Sequence, residues 1–405
     1  MNNPPLAGLT ILDLSRVLSG PYCTMLAADM GARVIKIEHP LHGDDTRAWG
    51  PPFQEGESAY YLSINRNKES VAIDFKTAEG RALLHSLVAK ADVLVENFRP
   101  GTLDKFGMGY AELKTRFPSL IYVSISGFGQ DGPRRNEAGY DAVAQAEGGL
   151  MAITGDAHGS PVRLGVAIAD IAAGMFAYQG LLAALISRGQ TGLGQLVDVS
   201  LLDTVTALLT YQAGRHFAGD VPGRTGNRHA TIAPYDTFDT ADGLLVLAVG
   251  NDVQWRSLCI VLGATDLKTD ARYATNAGRV DHYAALHATL VPLLRKQSLT
   301  PLIALLRKAG VPCGAVRSVA DALADPQIAA RHMVESVAHP TIGSINVLGI
   351  PTKLSETPGR ISKPPPRLGE HTARVLQDDL GLSREDVERL AEKQVVVTER
   401  AAGFP

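Results

Sequence analysis

Short apolar runs alternate with amphipathic stretches through the first half of the chain, and this alternation constrains the fold more than any other feature. TILDLS (10–15), VIKIE (34–38), VAIDF (71–75), VLVEN (93–97) and LIYVSIS (120–126) each have the length and near-continuous apolarity of a strand buried on both faces. Between the first two, Pro21 to Met30 reads as a short helix with proline near its start. After the third, TAEGRALLHSLVAKA has helical apolar spacing, and Thr77 is placed to cap it. Helical pieces follow around Gly101 to Phe117. Strands separated by helices predict an α/β fold: a mostly parallel, Rossmann-like sheet covered on both faces.

From Gly139 to about Gly214 the pattern turns helical, with a small-residue-rich helix after Asp170 (IAAGMFAYQGLLAALISR). QLVDVSLLDTVTALL reads as a strand running into a helix. YDTFDTADGLLVLAV reads as a hairpin turning at Ala241-Asp242-Gly243, and amphipathic helices are expected near 252–262 and 279–295. The proline-rich KPPPRLGEH leads to a last helix pair from His371 to Lys393. At 405 residues the chain exceeds the roughly 250–300 that one core supports. Two domains are expected: a large one from 1–215 with 330–405, and a smaller α+β one over 216–329.

A formal net charge of -3 gives no electrostatic case for nucleic acid or an anionic membrane surface. Cys23, Cys259 and Cys313 are far apart and form no CxxC pair, which fits a reducing, cytoplasmic setting without zinc. MNNPPLAGLT lacks the charged and apolar regions of a signal peptide, and no run of about 18 apolar residues suggests a membrane span.

Gly127 to Gly132 matches G-x-G-x-x-G after a strand, but Pro133, Arg134, Arg135 and Asn136 follow where a dinucleotide site needs a helix. A flexible glycine loop is the better reading. Arg16, Lys36, His39, Arg47, Arg66, Lys68, Lys76, Asn97 and Arg99 cluster at or beyond strand ends, where open α/β sheets gather ligands. Taken singly, most are expected to be solvated charges. Asp170 precedes a helix of small residues. Such a carboxylate is often only a cap, yet small neighbours leave room for a ligand. No GxSxG, HExxH or P-loop occurs, and the eleven histidines show no metal-ligand spacing.

LAGLTILDLSRVLSGPYCTMLAADMGARVIKIEHP, GDDTRAWGPPF, NRNKESVAIDFKTAEG, DVLVENFRPGTLDKFGMGY, SGFGQDGP, AGYDAVAQAEGGLMAITG and PVRLGVAIADIAAG through GQLVDVSLLD resemble, in order, the class III CoA-transferases of the CaiB/BaiF family. The resemblance covers nearly the whole chain. It implies Asp170 as the catalytic residue, and CoA contacts at Val17, Leu18, Ser19, Ile73, Lys76, Asn97, Phe98, Lys105, Phe106 and Tyr140. His39 stands where relatives often carry an arginine for the adenine end. The family's flexible glycine loop falls near Gly250, where its other glycines are missing. The resemblance also implies small-molecule carboxylic acids and CoA thioesters as partners, no tightly bound cofactor, and an interlocked homodimer.

The related 2-methylacyl-CoA racemases are similar, but their AGHD histidine is Tyr140 here, and racemisation needs two proton-transferring groups. A non-catalytic CoA-binding protein is a third reading. GDDTRAWGPPF, SINRNKES and GLMAITG most resemble transferases that use succinyl-CoA and dicarboxylates such as glutarate. A second carboxylate needs a cation, for which Arg16 and Arg47 are candidates.

Overall fold

The computed structural model describes residues 3–398. The chain divides into two compact units: one holds the residues through Leu150, Leu164–Thr210 and everything from Pro326, the other Met151–Arg163 and Tyr211–Asp325.

The first unit is built on a seven-stranded sheet. Six of its strands, β1 (Thr10–Asp13), β2 (Arg33–Glu38), β3 (Lys68–Ile73), β4 (Val93–Glu96), β5 (Ile121–Ser126) and β6 (Leu196–Ser200), are ordered 3-2-1-4-5-6 and are parallel to one another. Strand residues alternate between two cores, as the two-residue period of a strand requires. Ile11, Val34, Val93, Val95 and Val123 face one core. Leu12, Ile35, Leu94 and Tyr122 face the other. The first core is closed by α1 (Ser19–Asp29) and the 24-residue α4 (Ile168–Thr191), the second in part by α2 (Ala78–Val88). A Cβ on Gly174 of α4 would stand 2.6 Å from the Ser19 carbonyl oxygen, so glycine there sets how closely α1 and α4 approach. By length and composition α4 could cross a membrane, but Ala169, Ala173, Ala177, Leu181 and Ala184 are buried in the first core.

The third strand begins at Lys68, three residues before the expected run. Lys68 and Glu69 look like loop in sequence, yet both are buried in ion pairs, Lys68 with Asp13 and Glu69 with Arg33. Thr77 caps α2 through the Gly80 N–H. The tail returns to this unit: β12 (Val396–Val397) pairs antiparallel with β3, and Arg33 grips Asp379 at 2.6 and 2.8 Å. The hairpin β10 (Val334–His339) and β11 (Gly343–Leu348) has no counterpart in the expectations from sequence.

In the second unit, β7 (Tyr235–Asp239) and β8 (Leu244–Ala248) form a hairpin extended by β9 (Cys313–Ala315), with helices Asp252–Val261 and Tyr283–Arg295. Trp255, Leu286, Leu290 and Leu302 supply its core.

Candidate active site

The order 3-2-1-4-5-6 places a topological switch between β1 and β4, where the connections leave to opposite sides and open a crevice beyond the strand ends. A cavity of about 340 Å³ lies there. The turn after β1 lines it with Arg16, Val17 and Ser19, and the turn after β4 with Asn97, Phe98 and Arg99. The end of β5 brings Ser126, the loop before α3 (Asp141–Glu147) brings Tyr140, and the first turn of α4 brings Asp170.

The first two turns are clasped together. Asn97 Oδ1 accepts the Arg16 N–H at 2.8 Å, and Asn97 Nδ2 donates to the Arg16 carbonyl at 2.6 Å. Val17 is left-handed (φ 66°), a costly state for a β-branched residue. Its N–H is held between the two carboxylate oxygens of Asp44, at 3.2 and 3.3 Å. Asp44 is buried against Lys36 Nζ at 2.8 Å, and Lys36 also donates to the Ser15 carbonyl. Beside them, buried Asp13 holds the Ser15 N–H and Thr24 hydroxyl and pairs with Lys68, which donates to the Pro21 carbonyl. Two buried lysine–aspartate pairs therefore converge on the segment from Ser15 to Pro21. Burial would raise the Asp44 carboxyl, but Lys36 outweighs it and holds it at about 2. Burial brings Lys68 down to about 8.

Asp170 is partly buried, and its carboxyl meets the Ser19 hydroxyl. Burial and the neighbouring Asp141 carboxylate push it up to about 7, with Ser19 pulling the other way. Asp141 orients the helix that carries it: Oδ1 accepts the Ala169 N–H at 2.8 Å, and Oδ2 accepts from Gln145 Nε2 at 2.7 Å. The Tyr60 hydroxyl is raised to about 12 by burial, then by Asp170, Asp141 and Asp44, and so stays protonated. Gly127 and Gly139 cross so closely that a Cβ on either would lie 2.7 or 2.5 Å from the other's Cα. This crossing ties the start of the glycine loop to the segment before α3, both beside the cavity; a dinucleotide-binding helix does not start at the loop.

A second cavity of about 250 Å³ adjoins along the ends of β2 and β3. His39, Lys76, Phe75 and His42 line it, and the two histidine rings stack at 4.0 Å. Arg16 and Phe98 line both cavities, with the guanidinium 5.4 Å from the ring centroid. A long ligand with an anionic end at Lys76 and a reactive end at Asp170 would pass them.

Not every anticipated residue meets at this place. Leu18 and Ile73 are buried core residues, Phe106 packs edge-on against Phe75, and Lys105 lines neither cavity. Gly250 belongs to the second unit, where its N–H donates to Gln254 Oε1. Arg47 departs from the expectation of a substrate ligand. It is bound bidentately to buried Glu38 at 2.7 and 2.8 Å, lies over the Tyr61 ring, and donates to the Pro366 carbonyl. A guanidinium so committed has no face left for a ligand. Arg99, one of the basic residues expected near strand ends, does line the cavity; Asp45 and Asp141 were not anticipated as cavity or helix-orienting groups, since GDDTR and AGYD carried them but sequence spacing gave no sign that they converge.

The comparisons agree with this geometry. A Brucella suis protein described as CaiB/BaiF family superposes with a TM-score of 0.84 at 43% identity, covering 93% of this chain and 100% of its own. The succinate–glutarate CoA-transferase of Agrobacterium fabrum is 44% identical over 93% of this chain and 96% of its own length. The mouse succinyl-CoA:glutarate CoA-transferase is 42% identical over 95% and 89%. Residues 6–372 match the CoA-transferase family III profile, and with a parallel sheet whose switch-point cavity presents a carboxyl group, the chain belongs to CoA-transferase family III.

Proposed function

We propose that this transferase moves CoA from succinyl-CoA to a dicarboxylic acid such as glutarate, with Asp170 as the nucleophile. The observation that carries this reading is the Asp170 carboxyl opening into the switch-point cavity beside the clasped Val17–Ser19 turn. The large unit acts as the CoA-binding catalytic domain, with pantetheine running past Phe98 and Arg16 from the Lys76 cavity.

The ionised Asp170 oxygen attacks the donor thioester carbonyl, forming a mixed anhydride and expelling CoA thiolate. The thiolate attacks the aspartyl carbonyl, giving an aspartyl-CoA thioester and releasing succinate. The acceptor carboxylate attacks that thioester, forming a second anhydride and again freeing thiolate. The thiolate takes the acceptor acyl group, and Asp170 is restored. Each step exchanges one activated acyl bond for another, so neither ATP nor a metal enters the balance. Ser19 lines the cavity with Asp170 and supplies a hydroxyl donor beside the developing charge. Water must be excluded while an anhydride exists. The Tyr140 phenol, where racemases have histidine, favours transfer over racemisation.

We further propose a homodimer. Met175, Phe176 and Ile186 on α4 are 54%, 39% and 68% exposed, and an apolar groove of about 460 Å³ runs beside Tyr22, Met175, Phe176 and Ile350. A patch of this kind marks an interaction surface. The three free cysteines suit the cytoplasm.

Hydroxylamine trapping tests the nucleophile. Incubation with succinyl-CoA should convert Asp170 to a hydroxamate detectable by peptide mass analysis, and an unmodified Asp170 would refute the covalent route.

A further inference from the structure

Asp44 and Asp45 are adjacent but occupy opposite environments. Asp44 is buried and holds Val17, Thr46 and Lys36. Asp45 opens the short turn Asp45–Ala48 and faces the Asp170 cavity, where its Oδ2 meets Arg16 Nη1 at 3.0 Å. The Arg16 backbone is fixed from both sides by Asn97, so its freedom lies in the side chain. The two side chains are 49% and 41% exposed. An ion pair this wet contributes little to folding and is cheap to open.

The charge around the cavity gives that pair a consequence. Arg16 and Arg99 line the same space as Asp45, Glu137 and Asp170, and Glu137 is itself paired with Arg134 at 2.6 Å, so the two arginines are the cations a second carboxylate can meet there. Of these two, Arg16 is the one that Asp45 holds.

Resting on the transferase reading above, we infer that Asp45 is an internal carboxylate that the distal carboxylate of a dicarboxylic acid displaces from Arg16, so that the Arg16–Asp45 pair sorts dicarboxylic from monocarboxylic acceptors. The exchange conserves the ion pairing of Arg16. Asp45 is already in contact with water and swings outward at small cost. A monocarboxylic acid has no second group to make the swap, so for it the pair stays closed. No bond is made or broken in this step.

Glutarate and pentanoate share a five-carbon chain and differ in the distal carboxylate, so their affinity ratio isolates the effect. We would titrate each by calorimetry into the full-length protein loaded with CoA. In Asp45→Asn the glutarate-to-pentanoate ratio should rise about two- to fivefold, the worth of a half-exposed ion pair. In Arg16→Gln it should fall about tenfold or more, the worth of a charged hydrogen bond. An Asp45→Asn ratio that stays constant or falls, or binding of neither acid to the wild type, overturns the inference. Should Asp45→Asn lose its melting transition, Asp45→Ser carries the same measurement. Acid exchange with succinyl-CoA is read separately. If the ratios shift as stated while the wild type exchanges no acid, the transferase reading fails and the Arg16–Asp45 device stands.

Discussion

The Asp170 carboxyl carries opposing demands on its proton. It must be ionised to attack, yet burial and Asp141 favour the neutral form up to about pH 7. The kcat/KM for the acyl-CoA donor should therefore climb with pH and level off above about 7. Asp141→Asn removes the neighbouring charge and should move the rise to lower pH; an unmoved profile would show that burial alone sets it. The same shift has a stability consequence. Between the unfolded carboxyl value and about 7 the folded state holds a proton that the unfolded state has released, so stability falls as pH rises through that window. Above it the wild type carries the full penalty and an amide carries none. Asp170→Asn should abolish transfer while stabilising the protein at pH 8 by about 1–3 kcal/mol, discounted for partial exposure, with much less gain at pH 5. Differential scanning calorimetry at the two pH values measures the difference.

Among the elements, the crossing of α1 and α4 sets the distance from Ser19 to Asp170. A methyl on Gly174 meets the Ser19 carbonyl oxygen at 2.6 Å, so the helices must part. Gly174→Ala should cost about 1–3 kcal/mol in urea unfolding and lower kcat more than it raises KM. An unchanged kcat would mean that the Ser19–Asp170 contact does not limit the reaction. The strands of the parallel sheet were legible because two buried faces demand continuous apolar runs, and Ile11, Val34 and Val123 announce themselves. The start of β3 was not legible, since Lys68 and Glu69 enter a strand only because Asp13 and Arg33 lie across the sheet to receive them. Arg16 and Arg47 looked alike for the same reason. Sequence displays a guanidinium but not the buried Glu38 that has already claimed one of them. Asp170 itself was suggested by its small neighbours and singled out by resemblance; the groups that tune it, Asp141 above all, lie too far along the chain for local spacing to reveal.

At the scale of the molecule, the outer face of α4 is the feature least compatible with a solitary protomer. Its inner face fills the core, while Met175, Phe176 and Ile186 remain in water. Phe176→Asp should convert the proposed dimer to a smaller species in light scattering, with soluble yield falling; an unchanged mass would place the interface elsewhere.

The pairing of Val396 and Val397 with β3 bears on biosynthesis. Strands β1 to β6 are all complete in the chain by residue 200, but the backbone along the outer rim of β3 acquires its strand partner only with Val396 and Val397. Through translation of roughly half the chain, a nascent polypeptide would present an open hydrogen-bonding rim to its neighbours. A chain truncated shortly before Val396 should thus hold its sheet yet stick to other chains, and the short stretch around Val396 and Val397 would decide whether it stays in solution.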